Sequence, residues 1–310
     1  MPNKIEAFLL KIPIVNKIIL LAQAIYIPGL EGLSVYEFLE IYIGGIAKGA
    51  FSYRAGSIAF SFFMAIFPFA LFILNLIPYI PLEGFQTDFL HFVEQSVPPN
   101  TFEAIEAIIK DILHNSYKSL LSSGFILSIF LMSNGVNAIL GGFQSSYHIG
   151  KNSRSFIRQY AISIIISIVI SLLLIFIVAA IVVSEVVIQG FSQNLNLDDV
   201  LIIQIARYAL VIVLIFSITS VLFKFGTRET KNIGFFNAGA IFTTLLMIIS
   251  SYAFGIYVVK FARYNELYGS IGTILVLMIY IWLNCIILLL GFEINAVINN
   301  YRSKNIINKN

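Results

Sequence analysis

Arg207 is the residue whose type and position most invite a chemical role. It stands seven residues into an apolar run long enough to cross a bilayer, with Gln204 one turn before it and Glu185 near the end of the preceding run. A charge inside hydrocarbon costs at least about 2.5 kcal/mol on insertion scales, so it should face a bundle interior or a water-filled cavity. At about 1.5 Å per residue, Arg207 sits roughly 10 Å below the outer end of its helix. Two readings are open. Arg207 is neutralised by Glu185 or snorkels to the interface, or it is a recessed cation that receives a phosphate or carboxylate bidentately.

Other polar residues interrupt apolar runs. Asn75, Asn134, Asn137 and Asn284 are candidates for interhelical hydrogen bonds, and Glu293 lies near the inner end of the last run. Arg207, Glu185, Gln204, Asn134, Asn137 and Glu293 together form a candidate polar pocket. Ser163, Ser167 and Ser171 recur every four residues, and Ser251 with Gly255 repeats that spacing, a pattern expected where helices pack closely. Pro68 removes a backbone donor from its helix and predicts a kink. In the Tyr268-Gly269-Ser270-Ile271-Gly272 turn, Gly269 and Gly272 permit close backbone approach or an irregular helix start.

Catalytic constellations are missing from the sequence. His91, His114 and His148 are scattered, and Asp88, Asp111, Asp198 and Asp199 fall outside the apolar runs. Cys285 is alone, so no intrachain disulfide or cysteine cluster for zinc is available. There is no Gly-x-x-x-x-Gly-Lys-Ser/Thr loop for ATP phosphates. We expect no enzyme, metal or cofactor.

The elements that position these residues follow from composition. Of 310 residues, 59% are apolar and 11% charged, whereas a soluble domain is roughly 45–50% apolar and about 25% charged. A helix needs roughly 20 apolar residues to cross about 30 Å of hydrocarbon. Six segments qualify, at about 57–80, 119–143, 160–188, 200–223, 236–259 and 271–298. They lack the alternating pattern of barrel strands, so the fold class is all-α, a six-helix polytopic membrane bundle. Residues 1–56 form an N-terminal interfacial region, 57–298 the membrane domain and 299–310 a tail.

Fourteen of the 19 Lys and Arg residues fall on the side that carries both termini. By the positive-inside rule both termini are cytoplasmic. The net charge of +3 is too small and dispersed for a nucleic-acid footprint. Residues 8–27, broken by Lys11, Pro13, Asn16 and Lys17, suit a helix lying on the surface better than a seventh span or a cleaved signal. Ser34 and Glu37 make a capping box for a helix with Val35, Phe38, Leu39, Tyr42, Ile43 and Ile46 on one face. Gly44, Gly45 and Gly49 should weaken it before the first span. The acidic connection 81–118, divided by Pro98-Pro99, reads as a helical hairpin over the outer face.

Several of these residues resemble the YihY/BrkB family of bacterial inner-membrane proteins, historically labelled ribonuclease BN-like. The strongest are Tyr268-Gly269-Ser270-Ile271-Gly272 and Gly291-Phe292-Glu293-Ile294-Asn295-Ala296. The stretch from Ala55 to Pro68, Asn137-Ala138-Ile139 and Arg154-Ser155-Phe156-Ile157-Arg158 add support. Phe62-Phe63 departs from the paired tyrosines common there. The resemblance implies six spans and a role in the cell envelope, where members have been linked to serum resistance and to lipid or lipopolysaccharide transport. Expected partners are membrane lipids, including an anionic lipid or lipopolysaccharide precursor, and a second copy or an envelope protein, but no nucleic acid. A carrier or flippase is the leading expectation and a noncatalytic assembly factor the alternative.

Overall fold

The computed structural model describes residues 13–26, 34–48, 50–76, 86–87, 90, 94, 106–107, 109–111, 118–146, 148–149, 154–191, 197–228, 230, 233–268 and 270–309. Among them, regular structure is helical apart from an isolated β-bridge between Tyr26 and Ser34. Two short helices, α1 (Pro13–Ala24) and α2 (Val35–Lys48), precede six long ones. These are α3 (Phe51–Leu76), α4 (Lys118–Gln144), α5 (Phe156–Phe191), α6 (Leu197–Gly226), α7 (Ala238–Tyr268) and α8 (Ser270–Lys309). Each of the six contains a stretch long and apolar enough to cross a membrane. The chain is an all-α polytopic membrane protein.

Successive long helices pack side by side, and α8 returns against α3, so the bundle closes on itself. The start of α3 and the ends of α4 and α6 share one end of the bundle with the second half of α8. There Phe143, Phe223 and Phe292 are fully buried. Phe143 stacks on Phe292 with centroids 4.0 Å apart, and Phe223 meets Phe143 edge-on at 5.6 Å. In the edge-on pair the positive rim of one ring meets the negative face of the other. This contact fixes three helices at one level.

The long helices extend beyond the runs expected to span the membrane. The first long helix starts at Phe51, six residues before the expected span, and α8 continues through the expected tail to Lys309. Gly44 and Gly45 do not weaken α2, which runs unbroken to Lys48. Gly45 is helical and serves packing instead, since a Cβ there would strike the His148 ring. The chain turns at Ala50, whose φ of 45° is left-handed. That costs an L-residue about 1–2 kcal/mol relative to the right-handed region.

The capping box forms as the spacing predicts. Glu37 N–H donates to Ser34 Oγ at 3.2 Å and Ser34 N–H donates to Glu37 Oε2 at 2.9 Å. The apolar stripe of α2 divides: Phe38 and Tyr42 stack half-buried, while Leu39 and Ile43 face outward. Gly255 likewise departs from expectation, because open space surrounds it rather than a neighbouring helix. Most of the expected outer hairpin lies outside the described residues; within it Lys110 and Glu106 form an exposed i,i+4 ion pair.

Candidate functional site

One turn of α8 gathers three other segments of the chain. On an α-helix, residues three apart share a face, so Leu290 and Glu293 point the same way. Glu293 is fully buried and Arg54 is 6% exposed. Arg54 Nη1 donates to Glu293 Oε1 at 3.3 Å, joining the first and last long helices. Ser146, just past α4, donates its hydroxyl to Glu293 Oε2 at 2.7 Å. Tyr42 of α2 donates its phenol to the Leu290 carbonyl at 3.1 Å.

The surroundings tighten this cluster. The Arg54 guanidinium carbon lies 4.9 Å from the centre of the Phe51 ring. A cation in the first turn of a helix opposes the helix dipole, so the Glu293 carboxylate offsets both that repulsion and desolvation. His148 is buried beside Ser146, whose Oγ accepts from its backbone N–H at 3.3 Å. Asn300 Nδ2 donates to the His148 carbonyl at 3.3 Å, adding a second tie to α8. Burial, followed by the nearby charge of Glu293, pushes the Tyr42 phenol up to about 12. Tyr42 therefore remains a donor at any physiological pH.

A neutral contact occupies the neighbouring face of the same helix. Asn295 Nδ2 donates to Asn237 Oδ1 at 2.7 Å, and Asn295 Oδ1 accepts from Gly239 N–H at 3.0 Å. Asn237 Oδ1 also accepts from Ala240 N–H at 2.8 Å and so caps α7. Gly239 and Gly291 face each other so closely that a Cβ on Gly239 would overlap the Gly291 carbonyl.

The residues singled out in the sequence fall in separate places. Glu293 belongs to the buried cluster. Asn134 accepts from the Tyr160 hydroxyl at 3.2 Å, and Asn137 Oδ1 accepts from Gln159 Nε2 at 2.8 Å, both joining α4 to α5. Asn284 instead donates to its own helix, at the Tyr280 carbonyl. Arg207 is partly exposed on α6. Its expected neighbours Gln204 and Glu185 lie on α6 and α5, with side chains outside the described set. Pro68 lies inside α3, which continues through it. Tyr268 ends α7 and Gly272 is buried in α8, while Gly269 between them is outside the described residues.

Sequence reasoning missed Arg54 because it was counted among the cationic residues of the N-terminal region. A signal was present: with an even number of spans, the start of the first and the end of the last share one membrane face. Opposite charges at those two positions are therefore candidates to meet. Nothing comparable pointed to Ser146, Tyr42 or His148.

Comparison with known proteins agrees with this architecture. The model of the family described as Virulence factor BrkB matches residues 43–309. The putative ribonuclease-like protein YfkH of Bacillus subtilis is 31% identical over 248 residues, covering 79% of this chain and 89% of that protein. A UPF0761 membrane protein of Aggregatibacter aphrophilus is 23% identical over 275 residues, covering 87% of this chain and 95% of its own length. Another from Aliivibrio salmonicida is 24% identical, with 78% and 76% covered. No solved structure matches the chain. The matched region takes in all six long helices, and the chain belongs to the BrkB family of membrane proteins.

Proposed function

We propose that this protein carries an amphiphilic lipid with an anionic headgroup across a bacterial cytoplasmic membrane, with both termini on the cytoplasmic side. The observation that carries the reading is the buried Arg54–Glu293 pair. A buried ion pair adds little net stability compared with an apolar replacement, and ionisable residues at membrane depth mark transport paths more often than they serve as glue. Here the pair sits where α2, α3, α4 and α8 converge, so separating it would loosen that end of the bundle.

Arg207 supplies a cation toward the opposite end. Sixteen residues separate it from Phe223, which packs on Phe292 beside Glu293, a rise of about 24 Å along α6. A headgroup phosphate entering near Arg54 would compete with Glu293 for the guanidinium, since a phosphate accepts from it bidentately. Exchange of Glu293 for lipid phosphate would open the latch only when cargo is present. On this reading the protein is not an enzyme, and the scattered aspartates and histidines of its sequence favour no phosphodiester cleavage.

One observation favours the assembly-factor alternative. The Asn134–Tyr160 and Asn137–Gln159 bonds engage two candidate pocket side chains in ties between α4 and α5. Liposomes carrying a fluorescent phospholipid separate the two readings. The carrier reading expects faster lipid movement with protein than in empty liposomes, and slower movement with Arg207→Ala. Wild-type movement at the empty-liposome rate would overturn the carrier. Normal movement by Arg207→Ala would remove Arg207 from the path.

A further inference from the structure

A second basic site is built where α5 begins and α6 ends. Arg154 Nη1 donates to the Phe225 carbonyl at 2.7 Å, and Nη2 donates to the Thr227 carbonyl at 2.8 Å. These bonds satisfy the open end of α6 and hold the guanidinium in one place. They also bring Arg154 and Arg158, at the start of α5, toward Lys224 and Arg228, at the end of α6. These four cations are gathered at one end of a chain whose net charge is +3. The concentration is local, since the rest of the chain is net acidic.

The convergence is close enough to be felt by the groups themselves. Burial, followed by the charges of Arg158 and then Arg228, lowers the Arg154 pKa from its ordinary value. Like charges gathered around a fixed guanidinium repel one another, and a bound anion relieves that repulsion. Arg158 and Arg228 are exposed, one on α5 and one beyond α6, so both are accessible to a ligand.

The apolar frame says which anion. Phe156 is 75% and Ile157 81% exposed beside Arg154 and Arg158, and Phe225, whose carbonyl Arg154 holds, is 44% exposed. Large apolar side chains at the ends of membrane helices, next to cations, match a ligand with acyl chains below and a charged phosphate above. A free phosphate would leave those side chains without a role.

We propose that Arg154, Arg158 and Arg228 form a binding site for the phosphate headgroup of an anionic phospholipid. Arg154 is the positioned centre, and the two exposed arginines are the adjustable arms. The site is separate from the Arg54–Glu293 cluster, and it stands whether or not the protein moves lipid.

The test uses the full-length protein in detergent, mixed with phosphatidylglycerol, phosphatidylcholine or inorganic phosphate, with bound lipid counted by native mass spectrometry. Wild-type protein should retain phosphatidylglycerol at least tenfold better than phosphatidylcholine, and millimolar inorganic phosphate should not displace it. The paired substitution Arg158→Gln with Arg228→Gln spares the Arg154 cap and should lower phosphatidylglycerol retention about tenfold. Arg158→Lys with Arg228→Lys should keep most of it. Equal retention of both lipids by wild type, unchanged retention by the glutamine pair, or displacement by inorganic phosphate would each overturn the proposal. Should the glutamine pair fail to fold, the wild-type lipid preference and its loss in high salt decide the matter alone.

Discussion

Two contacts of α8, only two residues apart, hold the helix by opposite means. At Glu293 the contact is ionic: a carboxylate meets Arg54 at 3.3 Å and the Ser146 hydroxyl at 2.7 Å. At Asn295 it is neutral and steric, with amide bonds to Asn237 and Gly239 and two glycine backbones in close approach. An ionic contact can exchange partners, because another anion can take the place of the carboxylate. A glycine-on-glycine contact has no such alternative. On the carrier reading, α7–α8 would be the fixed contact and α3–α8 the changeable one.

The largest expected effect breaks the ionic side. Glu293→Ala leaves Arg54 buried without its carboxylate and should destabilise the protein by about 3–5 kcal/mol. Replacing both partners, Arg54→Met with Glu293→Leu, should recover most of that loss. Thermal unfolding in detergent checks both, and a double variant as unstable as the single would contradict the ionic account.

The steric side should show no such rescue. Gly239→Ala drives a methyl group into the Gly291 carbonyl and the Asn295 amide. Overpacking of this kind costs about 1–3 kcal/mol. The same unfolding measurement should find no recovery when Asn295→Ala is added, because the Gly291 backbone still blocks the methyl.

The smallest effect sharpens the ionic contact. Tyr42→Phe removes one hydrogen bond to the Leu290 carbonyl, worth about 0.5–1.5 kcal/mol. The folded-state pKa of Tyr42, about 12, lies above the ordinary phenol value of 10.0. The folded protein therefore holds this proton more tightly than the unfolded chain, and the associated stability is fully present below pH 10. It is lost as pH rises through about 12. Melting temperature should fall less steeply over that window in Tyr42→Phe than in wild type. Identical slopes would show that Tyr42 is not the titrating group.

Much of this architecture was legible in the sequence because lipid imposes a simple rule: long apolar runs must be helices. The capping box at Ser34 and Glu37 was readable for a similar reason, since its partners are three residues apart. The Arg54–Glu293 contact links residues 239 positions apart, and hydropathy carries no information on which helices become neighbours. The same limit hid the glycine contact. Gly255 has the expected small-residue spacing yet faces open space, whereas Gly239 and Gly291 meet across helices with no shared periodicity to announce them. Arg207 was visible for its charge alone, and its surroundings depend on side chains outside the described set.

The central claim is that the Arg54–Glu293 pair is a working latch and not merely glue. Lipid movement in liposomes by the double variant Arg54→Met with Glu293→Leu tests it most directly, because that variant is expected to keep the fold while losing the exchangeable charge. The account predicts protein that melts close to wild type yet moves phospholipid no faster than empty liposomes. Wild-type lipid movement by this well-folded variant would contradict it.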